Sequence, residues 1–339
     1  MKVLIIKLSS IGDVVHTLPA LSALRKGFEK KGVKARIDWL VEEAASTLLK
    51  DHPLLDNLIV VKRGWIKNYG ENRKTSALLA KEGYDIVMDF QGLMKSGVWV
   101  HLSKGKKRLG FSNARELSRF FLNDRLPAYD PEKHAVDRYL DLAARAGGTV
   151  EAVEFPMDVS KAEKSVAARL KDSGLKGGFF VLVARARWYT KMWSDEKFVE
   201  LAKRIMEETS LSAVLAGGSA DRPGLDAMKD KVGKKAFNMA GLTDLKELWA
   251  MTGLSEFVVT VDSGPMHIAA AAGAPVVALF GPTAPWRTGP YGAGHAIVRK
   301  GLDCSPCFRK KCTAPECMTG ITVDDVMGAV KGILKAKRK

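Results

Sequence analysis

One rhythm runs through the whole chain and limits what it can fold into: a short apolar run, then a helical stretch, then another apolar run. In the first half the runs are VLIIKL, RIDWLV, LIVV and YDIVMDF, and in the second FFVLVA, SAVLAGG, EFVVTV and VVALFG. Continuous apolar runs separated by helices, not by two-residue turns, specify parallel strands covered on both faces by crossover helices. The expected fold class is α/β with doubly wound parallel sheets. A chain of 339 residues is too long for one core at roughly 100 to 200 residues per domain, so two domains are expected. The rhythm lapses at VEFPMDV, around Pro156, which gives a first domain at 1–155, a second at 163–322, and a C-terminal helix with a basic tail at 323–339.

The opening MKVLIIKLSS has four consecutive apolar residues before Lys7, short of what a signal peptide needs. The longest apolar run, 268–281, contains Pro275 and falls short of the roughly 20 residues of a membrane-spanning helix. The expectation is a soluble chain that stays in the cytosol. Its 54 Lys and Arg against 38 Asp and Glu give +16, and residues 62–125 hold 14 of those cations against 6 acids, half the net excess. Such a field attracts polyanions: nucleic acid, an anionic membrane surface or a phosphorylated glycolipid. The stretch carries no signature of an RNA-recognition motif, zinc finger or helix-turn-helix, so no nucleic acid is expected. A merely solvated basic face is the plainer reading.

Ligands of parallel sheets sit beyond the carboxyl ends of the strands, which makes the loops after the apolar runs the places for chemistry. The first is Ser9-Ser10-Ile11-Gly12-Asp13. Gly12 lets a ligand approach the backbone, and Asp13 at a strand-end mouth is suited to take a proton from an attacking hydroxyl. Spacing alone equally allows Asp13 to cap a helix. No GxGxxG follows this strand, which argues against a dinucleotide loop. The second is Asp262-Ser263-Gly264-Pro265-Met266-His267, leading into an alanine-rich helix. Backbone N–H groups at a helix start form a cradle for a diphosphate, with Ser263 and His267 as side-chain donors. Capping alone would account for Asp262, Ser263 and Pro265 and leave His267 over.

The third loop, ARWYTKMW at 186–193, holds Thr190 and Lys191, and a cation there can neutralise charge growing on a departing diphosphate. Arg187 reads as a solvated loop charge. No Asp-x-Asp occurs in the chain, so a metal-independent reaction requiring no cofactor is favoured. Asp221, in GGSAD, is either a ligand for ribose hydroxyls or part of an ordinary turn. NMAGLT at 238–243 either brings backbone groups to an adenine or, through Thr243, caps a helix. Cys304, Cys307, Cys312 and Cys317 form C-x2-C-x4-C-x4-C in one segment. Four thiolates could close a structural zinc site in a reducing compartment. Reduced structural thiols are the other reading, because the spacing departs from that of zinc ribbons.

The segments KLSSIGDVVHTLPAL, RIDWLVEEA, YDIVMDFQGLMKSG, ARWYTKMW and DSGPMHIAAAAGAPVVALFGPT occur in that order, and together they resemble glycosyltransferase family 9, the bacterial ADP-heptose heptosyltransferases. The resemblance extends from Met1 to about Asp325. It implies a GT-B fold, two Rossmann-like domains facing across a cleft, the first binding acceptor and the second the ADP-sugar. The implied reaction is an inverting, metal-free transfer of heptose from ADP-heptose to the Kdo region of a lipopolysaccharide inner core. Its place would be peripheral, at the cytoplasmic face of the inner membrane.

By the same resemblance Asp13 is the catalytic base, with Ser9, Ser10 and Gly12 in its loop. Lys191, with Thr190, meets the diphosphate. Asp262, Ser263, Gly264 and His267 hold the donor, and Asp221 lies near the ribose. Lys62, Arg63 and Arg115 meet the Kdo carboxylates and phosphates of a Kdo-lipid A acceptor. The C-terminal helix is expected to pack back on the first domain. The opening motifs look most like heptosyltransferase I, whereas CSPCFRKKC looks more like heptosyltransferase II, so a family member with a different acceptor is the rival reading.

Overall fold

The computed structural model describes residues 1–64 and 66–337; Trp65 lies outside the described residues, as do Arg338 and Lys339 at the end of the expected basic tail. Two compact units divide the chain, Met1–Asp158 and Val159–Lys339. Between them residues 153–159 have no regular structure, at the place where Pro156 breaks the rhythm.

The first unit runs β1 (Lys2–Ile6), α1 (Ile11–Lys30), β2 (Arg36–Glu42), α2 (Glu43–Leu49), β3 (Asn57–Val61), α3 (Tyr69–Glu82), β4 (Ile86–Asp89), α4 (Met94–Leu102), β5 (Lys107–Phe111), β6 (Asp124–Leu126) and α5 (Ala135–Arg145). Its six strands lie in the order β3-β2-β1-β4-β5-β6, all parallel. Val3, Leu4, Ile5 and Ile6 of β1 are fully buried, as a strand covered on both faces requires. Asp38, within RIDWLV, is also fully buried. Its carboxylate is satisfied at the amino end of the sheet by the Arg36 guanidinium at 2.9 and 3.0 Å, the Tyr84 hydroxyl at 2.7 Å and the Asn57 amide at 3.0 Å.

The second unit runs α6 (Ser160–Asp172), β7 (Phe179–Val183), α7 (Asp195–Glu208), β8 (Ser212–Leu215), α8 (Arg222–Val232), β9 (Ala236–Asn238), α9 (Leu245–Gly253), β10 (Val258–Val261), α10 (Gly264–Ala271), β11 (Val276–Phe280), α11 (Pro285–Thr288), β12 (Ala296–Arg299), α12 (Glu316–Thr319) and α13 (Val323–Lys337). The sheet order β12-β11-β10-β7-β8-β9 repeats the connectivity of the first unit. Both sheets have the order of a doubly wound fold, with the direction of winding reversing between β1 and β4 and between β7 and β10. The expected fold class is thus observed. β12 was not legible in the sequence, because AIVR is a half-exposed edge strand without a continuous apolar run.

The C-terminal helix contributes its apolar side chains to the second unit. Val323, Val326, Met327, Val330 and Ile333 are buried in the core of the second unit, together with residues of α7 and β11. Their i, i+3, i+4, i+7 spacing is one helical stripe, and it is used up there. Among the described residues no helix is long and apolar enough to cross a membrane.

In the first unit α1 and α5 meet without room for side chains. A Cβ on Gly27 would lie 2.3 Å from the Gly147 carbonyl oxygen and 2.6 Å from Gly148 Cα, and the Thr149 N–H donates to the Ala23 carbonyl at 2.8 Å. Because backbone, not a movable side chain, fills the space, Gly27→Ala should destabilise the protein by about 1–3 kcal/mol despite the better helix propensity of alanine. The check is the urea midpoint at unchanged m-value, and a midpoint equal to or above wild type contradicts the close approach.

Candidate functional site

In the first unit the segments leaving β1 and β4 meet at the point where the sheet order reverses. The Ser9 N–H donates to Gln91 Oε1 at 3.0 Å, and the Lys7 ammonium donates to the Phe90 carbonyl at 2.9 Å. Ser10 is the N-cap of α1, Gly12 is buried in its first turn, and Asp13 is its third residue. The Ser10 N–H and hydroxyl both donate to Asp13 Oδ2, at 3.0 and 2.9 Å. The capping role considered for Asp13 is therefore real, but it takes one oxygen only. The other, Oδ1, faces the Lys7 ammonium at 3.6 Å and accepts from the Tyr139 hydroxyl of α5 at 3.4 Å. The Asp13 side chain remains 35% exposed, enough for a substrate hydroxyl to reach it. Ser9 presents its hydroxyl to Lys95 of α4 at 2.7 Å, and that ammonium also pairs with Glu42 at 2.8 Å.

Lys7 and Tyr139 escaped the sequence reading, as did Asp89, Gln91 and Lys95. Burial works against the Lys7 charge, but the charge of Asp13, the Tyr139 hydrogen bond and the charge of Asp89 outweigh it and hold its pKa above the ordinary lysine value. Burial pushes the Asp89 carboxyl up, partly opposed by backbone N–H donors from Gly92 and Gln91. The usable signals were a lysine inside an otherwise apolar run and the polar DFQG immediately after a buried strand.

In the second unit the same arrangement recurs. The loops after β7 and β10 are bridged at the reversal point by Lys191 and Asp262, whose Nζ and Oδ2 lie 2.6 Å apart, both largely buried. Thr283, after β11, donates to the same Oδ2 at 2.6 Å. Asp262 therefore holds the Lys191 ammonium in place. The Lys191 ammonium also lies 4.6 Å over the Trp188 ring. Ser263 is the N-cap of α10, yet its hydroxyl caps nothing and, although buried, has no hydrogen-bond partner among the described residues. Gly264 and the buried His267 belong to the first turn of that helix.

Thr190 and Asp221 are engaged locally. The Thr190 hydroxyl is buried and donates to the Arg309 carbonyl at 3.0 Å, which braces the loop instead of lining it. Asp221 accepts from the Gly218 N–H at 2.8 Å, the geometry of an ordinary turn. Arg187 is exposed.

Lys62 and Arg63 follow β3, and Arg115, whose N–H donates to the Gly92 carbonyl at 2.9 Å, follows β5. All three are exposed. β3 and β5, the strands they follow, each lie two places from β1, on its opposite sides. Lys62 is paired with Glu71 at 3.0 Å, and that hydrogen bond raises its pKa.

The cysteine segment packs on the Lys191 loop. Tyr189 exchanges hydrogen bonds with the backbone of Cys312 at 2.6 and 2.7 Å, and Cys307 and Phe308 donate to the Pro282 carbonyl next to Thr283. All four thiols line one cavity of about 70 Å³ with Thr190 and Pro282. Cys304 is exposed and Cys317 buried, and none is in a disulfide. Burial pushes the Cys317 thiol up, reinforced by the other three. Among the described residues no three His, Cys, Asp or Glu side chains are gathered as they would be around a metal ion.

Comparison with known proteins gives this arrangement relatives. A sequence profile described as glycosyltransferase family 9 (heptosyltransferase) matches residues 73–318. Lipopolysaccharide heptosyltransferase 1 of Pseudomonas aeruginosa is 33% identical, over 92% of this chain and 88% of its own. An Escherichia coli heptosyltransferase solved with ADP superposes with a TM-score of 0.78 at 25% identity, covering 98% of this chain and all of that one. A family 9 glycosyl transferase from Veillonella parvula superposes at 0.85, with 21% identity over 99% of this chain and 97% of its own, a likeness of fold.

The unequal burial of the thiols is directly measurable. Native protein should give one fast-reacting thiol with Ellman's reagent, Cys304, with Cys317 reacting only after unfolding. Simultaneous fast reaction of all four contradicts this packing, and protection of all four that a chelator relieves reports a bound metal.

Proposed function

Because this chain belongs to glycosyltransferase family 9, and is a glycosyltransferase, we propose that it transfers heptose from ADP-heptose to the Kdo region of a lipopolysaccharide inner core. The observation that carries the reading is Asp13: a carboxylate at the reversal point of the first sheet, half open, with one oxygen capped by Ser10 and the other facing a buried cation. In the proposed step Asp13 takes the proton of an acceptor hydroxyl as that oxygen attacks the anomeric carbon of the heptose. The bond from that carbon to the diphosphate breaks, and ADP departs with the electron pair. A single displacement inverts the anomeric centre.

The charge growing on the diphosphate is met by the Lys191 ammonium, aimed by Asp262, and by the amino end of α10 with the Ser263 hydroxyl. A cation so placed supplies what a metal ion would otherwise supply, which supports a metal-independent mechanism needing no cofactor. Ser9, Ser10, Gly12, Gly264 and His267 complete the proposed donor contacts. Lys62, Arg63 and Arg115 are proposed to meet the carboxylates and phosphates of a Kdo-lipid A acceptor. The +16 charge suits a peripheral position on the anionic cytoplasmic face of an inner membrane. Identity of 33% to a type 1 enzyme favours that acceptor, and the cysteine segment keeps type 2 as the second reading. Product from ADP-heptose with Kdo-lipid A, and none with an already heptosylated acceptor, is expected; the reverse pattern selects the second reading.

Asp13→Ala should lower kcat by about 100-fold or more with little change in donor affinity, because a general base acts in the transition state. Lys191→Ala should slow transfer and also weaken ADP binding roughly 10-fold or more by calorimetry, since its charge faces the diphosphate before and during reaction. Wild-type turnover in the first variant, or wild-type ADP affinity in the second, removes that residue from its role. The Lys62→Ala, Arg115→Ala double variant should raise the acceptor KM by about an order of magnitude at charge-assisted contacts of roughly 1.5–3 kcal/mol each, and lose part of the wild-type salt sensitivity. Unchanged acceptor kinetics at two ionic strengths would reduce the basic stretch to a solvated face.

A further inference from the structure

We propose that Lys7 and Tyr139 are positioning residues for Asp13: they keep its carboxylate ionised and turn one lone pair of Oδ1 away from solvent, so that the attacking hydroxyl meets a fixed and charged base. The proposal rests on the reading of Asp13 as that base. It starts from a cost. Lys7 is 1% exposed, and a lysine charge is almost never fully buried unless it is compensated. Its neighbours Ile6 and Leu8 are buried apolar residues, and a methionine would fill the same tunnel without the desolvation penalty. Buried ion pairs seldom repay that penalty as stability, so the charge calls for another reason.

The geometry supplies one. The ammonium donates two hydrogen bonds, to the Phe90 carbonyl at 2.9 Å and to the Tyr139 hydroxyl at 2.6 Å, and forms an ion pair with Asp13 Oδ1 at 3.6 Å. By donating to the Tyr139 oxygen, Lys7 occupies a lone pair of that oxygen and sends the Tyr139 proton on to Asp13 Oδ1, 3.4 Å away. The ammonium also lies 4.6 Å from the Tyr139 ring centroid, which fixes the side chain of α5 against the end of β1. Two donors thus converge on one carboxylate oxygen from two different elements, while Ser10 holds the other oxygen from within the loop.

The other charged and titratable groups around this triad are Asp89 at the end of β4, Arg138 on α5, and Lys95 on α4, whose charge is shared with Ser9 and Glu42. His16 of α1 contacts the ring of His134 at 5.2 Å. Within this set burial opposes the Lys7 charge, but the charge of Asp13, the Tyr139 hydrogen bond and the charge of Asp89 hold its proton, and burial raises the Tyr139 pKa and so keeps that phenol in its neutral, donating form.

The test compares kcat/KM against pH for Lys7→Met, Tyr139→Phe and Asp13→Ala, together with ADP affinity and melting temperature. Removing a cation or a donor beside a carboxylate favours its neutral form and raises its pKa. The acid limb should therefore move to higher pH, by about one unit or more in Lys7→Met and less, in the same direction, in Tyr139→Phe. Both variants should recover part of their activity at alkaline pH and bind ADP as wild type does. Should Lys7→Met fail to fold, Tyr139→Phe, which loses one oxygen atom, carries the comparison. Turnover preserved in Asp13→Ala overturns the base reading and the proposal with it. An inactive Asp13→Ala beside folded variants whose acid limbs have not moved overturns the proposal alone and leaves Lys7 a structural residue.

Discussion

Parallel strands cannot be joined by a tight turn, and nearly everything else in this protein follows from that. Every connection must return over a face of the sheet, so helices cover both faces, and interior strands such as β1 and β10 read as unbroken apolar runs. Each return also delivers the chain to the same edge, so that all loops at the carboxyl ends of a sheet gather there. Where winding changes direction, two of those loops diverge to opposite faces and leave a gap. Each unit fills that gap with a polar bridge between consecutive neighbours in the sheet: Ser9 with Gln91 and Lys7 with Phe90 in the first, Lys191 with Asp262 in the second. The proposed base and the proposed cation for the leaving group occupy equivalent places in two similar scaffolds.

Two buried charges in the first unit show how the ends of one sheet differ. Asp38 sits near the amino end, and four donor contacts from Arg36, Asn57 and Tyr84 close around it; burial and the Asp38 hydrogen bond push the Tyr84 phenol far above its usual range. Nothing is left over for a ligand, and the cluster serves to pin β2 to β3 and to the chain before β4. Lys7, at the other end of the neighbouring strand, is satisfied only by including a carboxylate that is itself half exposed. Burial alone therefore does not separate structural charge from functional charge; what differs here is that both oxygens of Asp38 are taken by donors in a fully buried side chain, whereas Asp13 is itself a carboxylate with 35% of its side chain exposed.

The sequence carried the α/β class and the lapse of regular structure around Pro156, because both depend on local pattern: apolar runs and a broken period. It could not carry what depends on distant partners. Tyr139 lies 132 residues from Lys7, and no feature of HAVDRYLDLAARAGG distinguishes its hydroxyl from that of any tyrosine on an amphipathic helix. Thr283 and Thr190 escaped correct reading for the same reason, each being fixed by a contact with another loop. Asp262 was found without its partner Lys191, since a strand-end acid reads identically whether it faces a ligand or a lysine. The last helix showed its apolar stripe plainly; the stripe could not say which core it enters.

That last helix also sets an order of events during synthesis. The first unit has all six of its strands and α5 in hand once residue 158 has been made, and its contacts can close while the rest of the chain is still being translated. The second unit is in a different position: its interior includes Val326, Val330 and Ile333, so α7 and β11, which end at Glu208 and Phe280, keep part of their apolar face uncovered until α13 leaves the ribosomal tunnel. For that interval the growing chain is a finished domain joined to an open one, and the open one carries the apolar surface most exposed to aggregation.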